Sequence, residues 1–243
     1  MAATPVSGQG RLAIGIDANV DGNGPLSLGA IDSCVSVSRG QAFKVDLFID
    51  NVQELLAWEA YIAFDPAVLE VTGRDVEMFL AGNPGSSVLD VSAHLPNRDG
   101  LYRAAAADTS DPPTPDSGSG VLVRLTLKAL GPGTSQLDLA PRDVNDDGQP
   151  DQGPLLRNVD GKVLGDDNGD AIFDGPIHNA EVAVGSPCTN QSSTPTPANS
   201  SSGEGGLSPV VIGAMAAGAS VAVLAGGFLT FRRLRRRKGD FVP

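Results

Sequence analysis

The sequence predicts an all-β fold, a nine-stranded jelly-roll β-sandwich, followed by one C-terminal transmembrane helix. Three observations predict it. Apolar and polar residues alternate with period two in many short runs, as in half-buried strands. Gly, Pro, Asn and Asp fall between most of those runs, where turns need them. Finally, Val210 to Phe231 is an uncharged stretch followed at once by Arg232, Arg233, Arg235, Arg236, Arg237 and Lys238.

Taken in order, the first expected strand is Val35–Ser38. In the second, Phe43, Val45, Leu47 and Ile49 alternate with Lys44, Asp46 and Asp50. In the third, Trp58, Ala60, Ile62 and Phe64 face inward, and Ala57, Glu59 and Tyr61 face outward. Leu69–Arg74 is the fourth, and Val76–Ala81 reads as a helical turn. Ser87–Leu95 and Leu101–Ala107 follow as the fifth and sixth. Asp108–Gly120, DTSDPPTPDSGSG, reads as a mobile loop. Val121, Val123, Leu125 and Leu127 alternate with Arg124, Thr126 and Lys128 in the seventh strand. Ser135–Leu139 and Ala180–Val184 complete the set. Many short alternating strands at this spacing mean a sandwich or jelly roll.

Five segments follow from this pattern. Residues 1–32 form an N-terminal extension with an acidic loop, and 33–185 the β-sandwich. Residues 186–206 are a Ser/Thr/Pro-rich stalk, 207–231 the membrane helix and 232–243 a basic cytoplasmic tail. About 20 apolar residues rising 1.5 Å each cross a bilayer core. A basic flank stays on the cytoplasmic side, which places the domain outside the cell; a buried core helix is the alternative. Ala214, Gly218, Ala222 and Gly226 share one helix face, a spacing that permits self-association. Met1–Gly10 has neither a charged start nor an apolar core, so it does not read as a signal peptide. The expectation is a misassigned start or a fragment.

The chain holds 17 Lys+Arg and 29 Asp+Glu, a net charge of −12. The basic residues gather in the tail, so the part before the membrane is more acidic still. Such a surface repels phosphate backbones and excludes nucleic-acid binding. The two cysteines, Cys34 and Cys188, bracket the domain. Outside the cell an even pair points to a disulfide; two buried free thiols are the alternative.

Three segments space oxygen ligands at alternate positions: Asp143, Asn145, Asp147 and Asp151; Asp166, Asn168, Asp170 and Asp174; and Asp17, Asn19 and Asp21. Ca²⁺ takes 6–8 hard oxygens, and acidic loops of this pattern supply them. None carries the Glu of an EF-hand at position 12. The first two sets are the expected structural calcium ligands and the third a further candidate. Asx-type turns without a metal are the alternative.

Nothing marks an enzyme. His94 and His178 show no zinc spacing, and there is no GxSxG and no P-loop. One Trp, read as core, is too little for a sugar-binding platform.

Several motifs occur in one order. A strand, a Gly turn and a second strand span Val35 to Leu47. Leu56–Phe64 leads into the box Phe64-Asp65-Pro66-Ala67-Val68-Leu69-Glu70. Gly100–Ala107, Gly120–Leu130 and Gly131-Pro132-Gly133-Thr134-Ser135 follow. Over roughly residues 33–185 the chain resembles a cohesin module, and it is similar to the carbohydrate-binding sandwich modules of the same fold. The resemblance implies a non-catalytic module whose partner is a dockerin-bearing protein in extracellular polysaccharide degradation. It also implies docking on the sheet face that holds the strand before the box. Glu59 falls where such modules often carry an acidic contact, and Tyr61 is expected beside it as an exposed aromatic contact. Ala57 departs from the polar residue common two positions earlier. Direct glycan binding, or a structural adhesion or envelope spacer, are the alternative functions.

Overall fold

The computed structural model describes residues 10–139 and 154–188. Among them are twelve strands: β1 Ala13–Asp17, β2 Cys34–Val37, β3 Ala42–Leu55, β4 Ala57–Ala63, β5 Leu69–Asp75, β6 Val88–Asp90, β7 Leu101–Asp108, β8 Asp116–Ala129, β9 Gly133–Leu139, β10 Leu155–Arg157, β11 Ile177–His178 and β12 Ala180–Val184. A 3₁₀ turn, Phe79–Ala81, lies between β5 and β6.

The strands form two sheets. One runs β11-β1-β3-β8-β5; the other runs β2-β12-β9-β4-β7-β6, with β10 also paired to β4. Their inner faces share one core. Leu47, Ile49, Val123 and Leu125 come from the first sheet, and Ala60, Ile62, Tyr102, Leu137 and Val182 from the second. This is a β-sandwich, in which alternation sends every second side chain inward.

Three departures from the expected nine strands bear on the residues described below. β1 lies in the segment expected as an extension, yet it pairs with β3 from Ala13↔Asp50 to Asp17↔Asp46. All five of its residues are buried. A strand covered on both faces shows no period of two, so alternation does not reveal it. Of Ser87–Leu95, only Val88–Asp90 is strand. The expected loop Asp108–Gly120 is strand from Asp116 onward. There β8 pairs with β3 through register shifts. Asn51 and Glu54 take φ of 59° and 53° at these irregularities. Their N–H groups donate to Ser119 Oγ (3.0 Å) and Ser117 Oγ (2.9 Å). Ser and Gly at 117–120 thus serve a bulged edge rather than a free loop.

Candidate partner-binding face

The outer face of the seven-stranded sheet is built from β9, β4, β7 and β6. Trp58, Ala60 and Ile62 of β4 are core residues, as are Tyr102, Ala104 and Ala106 of β7. Alternation therefore turns Ala57, Glu59, Tyr61 and Ala63 outward, together with Leu101, Arg103, Ala105 and Ala107. Register places Glu59 opposite Ala105, Tyr61 opposite Arg103 and Ala63 opposite Leu101. At the edge Leu89 lies opposite Ala107.

Glu59 is half-buried and paired. Arg103 donates to its Oε2 through Nε (2.8 Å) and through its terminal nitrogen (2.5 Å), and also to the Val91 carbonyl. The bond to Glu59 is the main reason the Arg103 guanidinium holds its proton more tightly than usual; burial opposes it. The pair keeps a fixed geometry across two strands and remains partly open to solvent, with side-chain exposures of 35% for Arg103 and 21% for Glu59.

Tyr61 differs from the expected exposed aromatic. It is 8% exposed. It sits across from Arg103, whose charge it helps to hold. The large apolar side chains that do reach solvent on this sheet are Leu89, Val91 and Leu101, at 51%, 41% and 37% exposure. Periodicity gives no reason to choose them. Only the register that sets Leu101 beside Ala63, and Leu89 beside Ala107, brings them onto one face.

The acidic loops fall in different places. Asp17 is fully buried. Its Oδ1 accepts from the N–H of Asn19 and of Asp32 (both 2.9 Å), and its Oδ2 from Asn23 Nδ2 (2.8 Å). Asn23 also donates to Asp46, which Arg124 holds bidentately at 2.7 and 2.8 Å. Asn19 Oδ1 accepts from the Asp21 N–H. In the later loop, Asp166 accepts from the N–H groups of Asn168, Gly169 and Ala171. The Gly169 bond is the largest cause that lowers its pKa. Asn168 accepts from the Asp170 N–H, Asp170 from that of Ile172, and Asp174 from that of Asp167. These carboxylates are occupied by local N–H groups. Among the described residues no three His, Cys, Asp or Glu side chains form a group that could hold a metal ion. Asp143, Asn145, Asp147 and Asp151 lie outside the described residues.

Cys34 and Cys188 form a disulfide with a Cα–Cα distance of 6.1 Å. It joins the start of β2 to the chain just beyond β12, and these strands pair in parallel. The Cys188 N–H donates to Ser36 Oγ at 2.9 Å. Among the described residues no helix is long and apolar enough to cross a membrane; the expected span 207–231, the stalk from 189 on and the tail lie outside them.

No known family's sequence profile matches this chain, and no curated protein matches it. Solved structures similar to it include a non-cellulosomal cohesin from the hyperthermophilic archaeon Archaeoglobus fulgidus, 15% identical, covering 73% of this chain and 93% of that one, with a TM-score of 0.46. A type I cohesin–dockerin complex from Clostridium thermocellum is 12% identical over 72% of this chain and 99% of that one, with a TM-score of 0.48. The sixth cohesin of Acetivibrio cellulolyticus scaffoldin B, in complex with a Cel5 dockerin mutant, is 11% identical over 72% and 99%, with a TM-score of 0.45.

Proposed function

We propose that this chain is a non-catalytic, cohesin-like binding module that captures a dockerin-bearing protein on the outer face of its seven-stranded sheet. One observation carries the reading: Leu89, Val91 and Leu101 stand exposed on the same sheet as the fixed Glu59–Arg103 pair. Exposed apolar side chains around an oriented charge pair suit a protein interface, where apolar contacts supply energy and the charges set orientation. The motif order from Val35 to Ser135, which resembles cohesins, supports the same face. Glycan binding is the weaker reading, because among the described residues no exposed large hydrophobic is aromatic. The uncharged segment 207–231 and its basic flank support a reading in which the module is displayed on a cell surface, with the tail in the cytoplasm.

The test is capture of a dockerin-bearing protein by the full chain, measured by calorimetry. Leu89→Arg and Leu101→Glu should each weaken capture at least tenfold while leaving the far-ultraviolet circular dichroism unchanged. Unchanged affinity in both variants, or retention by insoluble polysaccharide in place of the protein, overturns the reading.

A further inference from the structure

At the end of the sandwich where β3 passes into β4, the 82–87 loop is fastened to the chain between β7 and β8. The Ser87 N–H donates to Asp108 Oδ1 (2.8 Å), and the Thr109 N–H donates to the Ser87 carbonyl (2.8 Å). Ser86 Oγ lies 3.1 Å from Thr114 Oγ1. A further tie is the side-chain amide of Asn83, which donates to Asp116 Oδ1.

The two carboxylates in these ties stand in opposite conditions. Asp108 is saturated. Its Oδ1 also accepts from the Ser110 N–H (2.9 Å), and its Oδ2 from Ser110 Oγ (2.8 Å) and Thr114 Oγ1 (2.7 Å). Burial alone would raise its pKa, but these donors outweigh it and hold the carboxyl at about 2, so it is charged at neutral pH. Asp116 opens β8 opposite Leu55 and is 0% exposed. Among the described residues Asn83 is its one side-chain partner. Its Oδ2 is buried with no hydrogen-bond partner. Residues 52–56, 76–87 and 108–119 contain no Lys or Arg. Their other acids are Asp108 and the exposed Glu54, Glu77 and Asp111. Arg157, which β10 brings beside Ala57, donates to the Gly161 carbonyl (2.7 Å). Burial pushes the Asp116 carboxyl above the ordinary range, Asn83 opposes that, and the Asp108 charge adds to it.

Ionised, Asp116 buries a charge with one oxygen unmet, a costly arrangement. Neutral, it buries no charge. Its hydroxyl can then face Asn83 with the amide turned over. The oxygen left unmet is then a carbonyl, which burial tolerates better. Water relieves the ionised form if a covering segment yields. The 82–87 loop is the weaker cover, because side-chain ties hold much of it, whereas the backbone ladder holds β3 to β8.

We propose that Asp116 is a proton-operated latch: the neutral carboxyl keeps the 82–87 loop closed on β8, and ionisation favours its opening to water. The loop runs into β6, whose Leu89 stands on the face proposed for capture. Acid should therefore favour capture, a consequence that rests on that reading.

The test compares the full chain with Asp116→Asn, which cannot ionise there, from about pH 4 to about pH 8. A carboxyl whose folded pKa is raised contributes less stability as pH climbs from its ordinary 3.8 through the folded value. Wild type should therefore lose stability in urea relative to Asp116→Asn as pH rises. Amide exchange over residues 82–90, referred at each pH to the variant, should quicken by at least about threefold. Asp116→Ala carries the test if Asp116→Asn does not fold, because the readout is how the difference changes with pH. A difference that stays constant across the range, as a buried water on Oδ2 would give, overturns the latch. Capture of a dockerin-bearing protein should tighten toward acid more in wild type than in the variant. Equal pH dependence of capture in both, with the exchange difference present, overturns the coupling to the face. No capture at any pH is a failure of that face, which the exchange and urea measurements do not depend on.

Discussion

Glu70 closes the motif box that begins at Phe64, and it is 5% exposed. Arg98 grips it bidentately at 2.7 and 2.9 Å. That bond lowers the Glu70 pKa below its usual 4.5, and burial opposes it. A carboxyl with a depressed folded pKa contributes stability above its unfolded pKa. It loses that contribution as pH falls through the folded value. Unfolding free energy measured by urea against pH should therefore fall more steeply below about pH 4.5 in wild type than in Glu70→Gln. Parallel curves would show that the pair adds nothing. At this scale the sequence marks residues but not their partners. Glu59 is legible as an outward acid on an alternating strand. Its pairing with Arg103 is not, because 44 positions separate them. Tyr61 shows the limit of alternation, which assigns a face but not whether that face is covered.

A strand whose outward residues stay partly wet, such as β4, is legible from period two, and its expected and observed bounds nearly coincide; β3 is found by the same pattern but runs on to Leu55, five residues past the expected Asp50. β1 is not legible, because the segment after it lies over its sheet. The Ala18 N–H donates to the Asp32 carbonyl (2.8 Å), and the Val121 N–H donates to the Gly24 carbonyl (3.2 Å). That crossing explains a glycine. A Cβ at Gly120 would meet the Pro25 carbonyl oxygen at 2.0 Å and Phe79 at 3.0 Å. Backbone cannot move aside as a side-chain tip can, so Gly120→Ala should lift the 18–33 segment from β8. Its expected cost is about 2 kcal/mol in chemical denaturation, within the usual range for overpacking. A loss under about 0.5 kcal/mol would mean that the segment is loosely held.

Across the whole molecule, the Cys34–Cys188 disulfide spans 154 residues and ties the start of β2 to the chain just past β12, the strand it pairs with. In the chain-entropy description, closing so long a loop stabilises by about 5 kcal/mol. Cys34→Ser/Cys188→Ser should lower Tm by many degrees, and reduction of wild type should reproduce the loss. If reduced and oxidised forms melt together, the bond adds no stability. The cysteines bracket the domain in the sequence, so this link is legible in one dimension. By itself the sequence determined the all-β class, most strand positions, the acidic balance and the uncharged span before the basic tail. Those are local properties, written in periodicity, composition and charge. Only the tertiary structure decided which outward residues stay wet and that Asp17 is buried. Such facts depend on which distant segment packs over a given face, and no local pattern encodes that.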